Sequence, residues 1–209
     1  MDGVKNFSGT LHEAHAFDIL EKSDIHEYLL VVHPAQNVYD ELMTEKQYFF
    51  NTYKEKVAIN TKPHITVADF LAWERMEETI IRYLHRIISM HKSFVATLNN
   101  FSGFPEHTVY ARVQEHQPFK QLAASLKIID QYIRGNGCPP AKLITHPHVT
   151  IARRLRQPVY EKAIFDYSQK TFHASFEVNE LVLLKRRNQF DKCKQVSVFK
   201  LVPHPRSLS

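Results

Sequence analysis

The chain has 209 residues, of which 44% are hydrophobic, a formal net charge of +5 and only two cysteines. This composition is typical of a folded globular protein, and it excludes a low-complexity tail, a disulfide framework and a nonspecific basic coat for nucleic acid. No apolar run approaches the ~18 residues that a membrane span needs, and residues 1–24 lack the basic start and apolar core of a signal peptide. We therefore expect a cytoplasmic protein with an N-terminal extension over residues 1–24.

Predicted strands and helices alternate in the first half of the chain. Residues 26–34, apolar and closed by a proline, predict a strand, and residues 35–53, with apolar side chains at helical spacings, predict a helix. The alternating, β-branched run 62–70 predicts a second strand. Residues 73–92 carry an apolar stripe at helical spacing, and residues 93–104 predict a strand and turn. The first half therefore has the order strand, helix, strand, helix, strand.

The second half is predicted to repeat this order. Its elements are a strand at 107–113, a helix at 118–135, a strand at 146–154, a helix at 158–169, a strand at 176–186 and a closing hairpin strand at 194–202. The matching order predicts an α+β fold in which a β-α-β-α-β unit is duplicated with pseudo-twofold symmetry. We expect one bilobal domain over residues 25–209, with lobe one at about 25–105 and lobe two at about 106–209.

The middle strands of the two halves carry nearly the same sequence. "PHITVA" occupies residues 63–68 and "PHVTIA" occupies residues 147–152, and the two differ only by exchange of Ile and Val. Chance is a poor explanation for such a match at equivalent places in two similar units. We infer an internal duplication in which both His-x-Thr copies belong to one shared site.

Strand geometry predicts which side chains of each copy face the same way. Residues two apart in a strand project to one face, so the histidine, threonine and alanine of each copy are expected to share a face. They are His64, Thr66 and Ala68 in the first copy and His148, Thr150 and Ala152 in the second. If the two strands lie side by side, two imidazoles and two hydroxyls converge on one cleft, where the small alanines leave room for a ligand.

Paired histidines and threonines suit the chemistry of a phosphodiester. Cleaving it near neutral pH needs a base for the attacking oxygen and an acid for the leaving oxygen, and histidine, with an ordinary pKa of about 6.5, can be either. Threonine hydroxyls can donate hydrogen bonds to the nonbridging oxygens, and an arginine can add positive charge. This scheme requires no metal and no cofactor.

The paired motifs resemble those of the two-histidine phosphoesterase superfamily, specifically its 2′-5′ RNA ligase-like branch, which includes RNA 2′,3′-cyclic phosphodiesterases. The resemblance extends in motif order and spacing from about His26 to Val202. It implies antiparallel-rich sheets around a central cleft and metal-independent action on 2′,3′-cyclic phosphates or 2′-5′ linkages of RNA termini or nucleotides. It also implies that His64 and His148 are the catalytic pair and that Thr66 and Thr150 hold phosphate.

Four further residues are candidates for substrate binding. The resemblance assigns the basic residue after the second motif to Arg153, whereas strict strand alternation directs Arg154 to the face of His148, so both stay candidates. A bulge or the end of the strand would resolve the conflict. Phe70 shares the parity of His64 and could stack on a base, although a core position is an alternative, and Tyr28 on the first strand is a further candidate.

Several alternatives stay open from the residues alone. The "HPH" run at 146–148 could belong to a metal site, but it does not complete a coordination shell. The paired histidines could be a structural remnant of duplication, or the cleft could bind RNA ends or nucleotides without turnover. We expect a monomeric enzyme that does not bind membranes. Five other histidines are interpreted as surface or structural residues: His33, His85, His91, His116 and His204.

Overall fold

The computed structural model describes residues 24–105, 107–188 and 191–204, so the expected N-terminal extension lies outside the described residues except for Asp24. The strands are β1 (Ile25–Val32), β2 (Ile65–Trp73), β3 (Phe94–Phe104), β4 (Thr108–Val113), β5 (Lys142–Leu143), β6 (His148–Ala152), β7 (His173–Val178), β8 (Glu180–Arg186) and β9 (Lys194–Lys200). The helices are α1 (Gln36–Tyr53), α2 (Glu77–Ile88), α3 (Gln117–Ser125), α4 (Lys127–Gly135) and α5 (Gln157–Ser168).

The order of elements agrees with the prediction, with two differences. The helix expected at 118–135 is two helices separated at Leu126, whose side chain is buried. The strand expected at 176–186 is divided at Asn179, because β7 pairs with β3 while β8 pairs with β1. A single predicted strand therefore supplies two different parts of the sheet.

Nine strands in the described part of the chain form one sheet, whose strands pair antiparallel, so the α+β class is confirmed. The order is β7-β3-β4-β6-β2-β1-β8-β9, with β5 beside β2. The sheet order crosses the expected boundary between the lobes near residue 105, and the division into lobes stays a prediction. The short link between β3 and β4 forms a hairpin, which keeps β3 with the second-half strands, and β8 returns to β1.

Helices cover the sheet through apolar faces. In α2 the buried residues Ile80, Leu84, Ile87 and Ile88 recur at helical spacing, and acidic side chains occupy the first turn, where they complement the helix dipole. Helix α2 packs against β9, α1 against β6, and α5 against β3 and β4. No described helix has the length and apolar character to cross a membrane.

Strand β2 contains a bulge within the first His-x-Thr motif. Thr66 pairs with Val31, but the next pair along the ladder joins Ala68 to Leu30, so Val67 is an extra residue. An extra residue of this kind reverses the alternation of faces for everything that follows it.

Strand β6 contains a bulge at the equivalent position of the second motif. Thr150 pairs with Tyr110 and the next pair joins Ala152 to Val109, so Ile151 is the extra residue. Both copies of the motif therefore carry the same irregularity after the threonine, as an internal duplication predicts.

The first bulge overturns the expected faces of Ala68 and Phe70. Both lie on the helix-covered side, with exposed fractions of 2% and 3%, and Phe70 stacks on the buried Tyr28 at a ring distance of 5.5 Å. The Tyr28 hydroxyl donates to Glu77 at the start of α2. Phe70 and Tyr28 are core residues. The expectation that Phe70 shares the face of His64 is wrong because the bulge inverts the alternation, and burial removes Tyr28 as a substrate-binding candidate. Ala152 is buried after the second bulge in the same way.

We expect Phe70→Ala to lower the free energy of unfolding by about 3 to 5 kcal/mol, because it removes a buried ring and leaves a cavity. The matched control is Leu71→Ala, the next residue on the opposite face, which is 39% exposed and is expected to change stability by less than about 1 kcal/mol. Urea unfolding midpoints at constant m-value measure both changes. Equal effects of the two substitutions would contradict the inverted alternation.

Candidate active site

The two His-x-Thr motifs meet where β2 and β6 pair. The pairing joins Ile65 to Val149, which are the same position in the two copies, and both are fully buried. Continuing an antiparallel register by one residue in each direction sets each histidine opposite the threonine of the other copy, with Cβ atoms about 4.5 to 5.5 Å apart. These pairs are His64 with Thr150 and His148 with Thr66. The four residues predicted to form the site are thus brought together on one partly exposed face.

Both motif histidines are anchored through the same ring nitrogen. Nδ1 of His64 lies 2.8 Å from the carbonyl oxygen of Lys62, and Nδ1 of His148 lies 3.0 Å from that of His146. A carbonyl oxygen only accepts, so Nδ1 is the donor in both rings and Nε2 is the atom that gains or loses a proton. His26 makes a similar local bond on β1, so the bond orients a ring and does not by itself mark catalysis.

Burial lowers the pKa of both motif histidines and so favours their neutral form. Protein atoms surround the His64 ring closely, which lowers its pKa to about 4, and the positive charges of His33, Lys46 and Arg153 act in the same direction. Burial also lowers the pKa of His148 from its ordinary value of 6.5. A bound anion would oppose both effects, because it favours the protonated imidazole.

The second bulge decides between the two candidate arginines. Because Ile151 is the extra residue, the alternation restarts and Arg153, not Arg154, follows on the face of Thr150. The charge of Arg153 reaches His64, whereas Arg154 is exposed and has a left-handed backbone, with φ of 56°. The structure therefore places Arg153 on the face of Thr150, while Arg154 lies after the end of the strand.

Two aromatic side chains surround His148 that sequence analysis did not single out. Phe104 and Tyr110 lie 4.5 Å apart, and their ring centroids are 4.9 and 5.0 Å from the His148 ring. Tyr110 pairs with Thr150 and so shares its face. Alternation in residues 107–113 could have marked Tyr110 as partly exposed, but only the strand pairing shows which motif it adjoins.

Each motif histidine also has a basic neighbour on the adjacent strand. Val32 pairs with Ile65, which sets His33 opposite His64, and Arg112 pairs directly with His148. His33 is therefore a neighbour of the candidate site, and it is exposed, in agreement with its interpretation as a surface residue. Its closeness to His64 agrees with the effect of its charge on that ring.

A buried lysine of α1 donates hydrogen bonds to the backbone of the second motif. Lys46 of α1 is fully buried, and its Nζ donates to the carbonyl oxygens of Thr150 and Ile151, both at 2.9 Å. Burial lowers the pKa of Lys46 to about 7, and the charge of Arg153 adds to this effect. Nothing in the local sequence of α1 connects this lysine with β6, so sequence analysis could not identify it.

Among residues 24–105, 107–188 and 191–204, no three His, Cys, Asp or Glu side chains are grouped closely enough to hold a metal ion. The arrangement offers instead two imidazoles, two hydroxyls and one guanidinium. These groups can exchange protons and neutralise an anion.

Solved structures with similar folds include two bacterial proteins, TT0787 and LigT. TT0787 of Thermus thermophilus is 18% identical, with a TM-score of 0.63 over 84% of this chain and 97% of that one. E. coli LigT complexed with phosphate is 15% identical, with a TM-score of 0.60 over 86% and 99%. E. coli LigT complexed with 3′-AMP is also 15% identical, with a TM-score of 0.58 over 85% and 98%. At these identities the likeness shows the fold.

No curated protein sequence matches the chain at a significant level. A family model, the 2′-5′ RNA ligase superfamily, matches residues 43–190, which include both His-x-Thr motifs and more than half of the chain. The chain therefore belongs to the 2′-5′ RNA ligase superfamily of two-histidine phosphoesterases.

Proposed function

We propose that this protein is a metal-independent phosphodiesterase that acts on 2′,3′-cyclic phosphates or 2′-5′ linkages at RNA ends or in nucleotides. Membership of the superfamily and the fold indicate a phosphoesterase. The observation that carries the finer proposal is the antiparallel pairing of Ile65 with Val149, which brings two equivalent acid–base groups to one site.

The reaction needs the two histidines in opposite protonation states. In hydrolysis of a cyclic phosphate, Nε2 of the neutral histidine takes a proton from water as the water oxygen bonds to phosphorus. The bond from phosphorus to one ribose oxygen breaks, and the protonated histidine gives its proton to that oxygen. His64 and His148 can face each other across the phosphate for this exchange because they sit on paired strands. Their Nδ1 anchors keep both reactive Nε2 atoms oriented.

The hydroxyls and Arg153 are assigned to the nonbridging oxygens. Thr66 and Thr150 flank the histidines of the opposite copies, so their hydroxyls can donate to the oxygens that gain charge in the transition state. Arg153 lies on the same face after the bulge and supplies a cation that stays protonated. Each of these contacts strengthens as negative charge accumulates on the phosphorane.

The two sides of the site are chemically unequal, which favours a nucleotide substrate. Beside His148 the rings of Phe104 and Tyr110 offer an aromatic surface, on which a base could stack for about 1 to 3 kcal/mol. Beyond the first motif, Asp69 faces Lys142 at 3.7 Å, so that side is charged. We assign the base to the aromatic side and the phosphate to the paired motifs.

We expect turnover of nucleoside 2′,3′-cyclic phosphates in EDTA, with His64→Ala and His148→Ala each lowering the rate by about 10²- to 10⁴-fold through loss of one proton-transfer group. His173→Ala is the matched control, since His173 is an exposed histidine of β7 and its removal should leave the rate unchanged. Chromatography of the products measures the rate and identifies the phosphate isomer.

Turnover at the wild-type rate in either His64→Ala or His148→Ala would rule out the acid–base pair. Absence of turnover by the wild-type protein on every cyclic phosphate and 2′-5′ dinucleotide tested, with retained binding of the product nucleotides, would instead support the alternative of a binding module on the same fold.

The pH dependence of kcat/KM is expected to be bell-shaped with its maximum on the acidic side of pH 6.5. One histidine must be neutral, so the rate rises with pH through the lower pKa, which for His64 is about 4. The other must be protonated, so the rate falls as pH rises through the pKa of His148, which burial places below 6.5. The rise and the fall of the rate occur at the same pH values whichever histidine is the base. A profile that stays flat from about pH 7 to pH 9 would exclude a protonated histidine as the acid.

A further inference from the structure

Lys46 is a buried cation that the reaction scheme above does not use. Its side chain is fully buried, and its Nζ donates to the carbonyl oxygens of Thr150 and Ile151 at 2.9 Å each and to Oγ1 of Thr61 at 3.3 Å. No carboxylate of the described residues neutralises it at ion-pair distance. Burying an ammonium group without a counterion costs several kcal/mol, so a purely structural role would be served better by an apolar side chain of similar length.

The carbonyl groups that Lys46 binds belong to the second bulge. A bulge leaves backbone groups outside the ladder, and buried carbonyls need a donor. In the first motif the corresponding carbonyl oxygen, that of Val67, accepts from the backbone N–H of Ile144 at 2.9 Å. The second motif has a lysine side chain as donor where the first has the backbone of Ile144, the residue after β5. The two copies are thus held in the same shape by different means.

The bulge of β6 controls the direction of two phosphate-binding groups. It follows Thr150 directly and it turns Arg153 onto the face of Thr150. We propose that Lys46 is a positioning residue whose ammonium group holds this bulge, so that Thr150 and Arg153 face the phosphate, and whose positive charge strengthens the field at that site. This inference rests on the proposed function, since it concerns the same phosphate.

The charge of Lys46 is coupled to the site. Together with Arg153 and His33 it lowers the pKa of His64, and the charge of Arg153 in turn lowers the pKa of Lys46. A phosphate anion bound at the site would stabilise the charged forms of these groups. A lysine that only fills space in the core would have no such connection.

The first test compares Lys46→Met, which keeps the length of the side chain and removes its donors, with Leu42→Ala. Leu42 lies one turn earlier on α1 and is fully buried, so its truncation weakens the core while the Lys46 side chain and its donors stay in place. At a temperature where both variants are folded, we expect kcat of Lys46→Met to fall on the order of 10- to 100-fold through misplacement of Thr150 and Arg153, with a smaller change in KM. Leu42→Ala should keep the wild-type kcat.

A second variant, Lys46→Gln, retains N–H donors without the charge. We expect it to recover part of the kcat that Lys46→Met loses, because hydrogen bonds to the bulge are partly restored. It also serves as the test variant if Lys46→Met does not fold. A kcat of Lys46→Gln and of any folded Lys46→Met equal to that of Leu42→Ala would overturn the positioning role.

A measurement without turnover separates this inference from the proposed function. NMR titration of the His64 ring should show a higher pKa in Lys46→Met and Lys46→Gln than in the wild type, and no change in Leu42→Ala. Inorganic phosphate should bind more weakly to both Lys46 variants. If the wild type turns over no substrate, the proposed function fails while these two readouts still decide on Lys46. Unchanged titration and unchanged phosphate affinity would overturn the inference.

Discussion

The narrow antiparallel contact between β2 and β6 is the constraint on which the site depends. Ile65 and Val149 form the pair that joins the two halves of the sheet, and they are equivalent residues of a repeated motif. An antiparallel pair of equivalent residues lies on a local twofold axis, so whatever flanks one of them flanks the other. That geometry alone brings each imidazole beside the opposite hydroxyl. Both members of the pair are fully buried, so the core that stabilises the fold also sets the spacing of the polar groups.

Strand alternation predicted the reactive face correctly only as far as the threonines. Residues 64, 66, 148 and 150 follow the rule, and the rule fails at Ala68, Phe70 and Arg154 because each strand has an extra residue after its threonine. Val67 and Ile151 are ordinary strand residues, and nothing in their type signals a bulge. The resemblance placed Arg153 in the site, and the bulge gives the physical reason why Arg153 rather than Arg154 shares the face of Thr150.

The elements were largely predictable, whereas their partners were not. Helical periodicity and turn residues are local, so the order of strands and helices could be predicted from the sequence. Pairing of β3 with β7, the return of β8 to β1 and the contact of Lys46 with β6 join residues far apart in the chain. The aromatic surroundings of His148 also depend on strand pairing, since Phe104 lies on β3 and Tyr110 on β4, and both contact a histidine of β6. A motif identified the reactive groups, and only the sheet order could identify what surrounds them.

The two halves of the candidate site carry the same motif residues in different surroundings. Acid and base catalysis needs one proton between two rings, and two interacting rings lose their protons in two separate steps even where the rings are equivalent. The two motifs have the same residues at the histidine and threonine positions, and the difference between them lies in the side chains that surround each histidine. His64 lies among His33, Lys46 and Arg153, while aromatic rings flank His148. The cations add to the effect of burial in lowering the pKa of His64, and burial also lowers the pKa of His148. Unequal surroundings can therefore shift the pKa values of the two motif histidines by different amounts, although the motifs themselves are nearly identical.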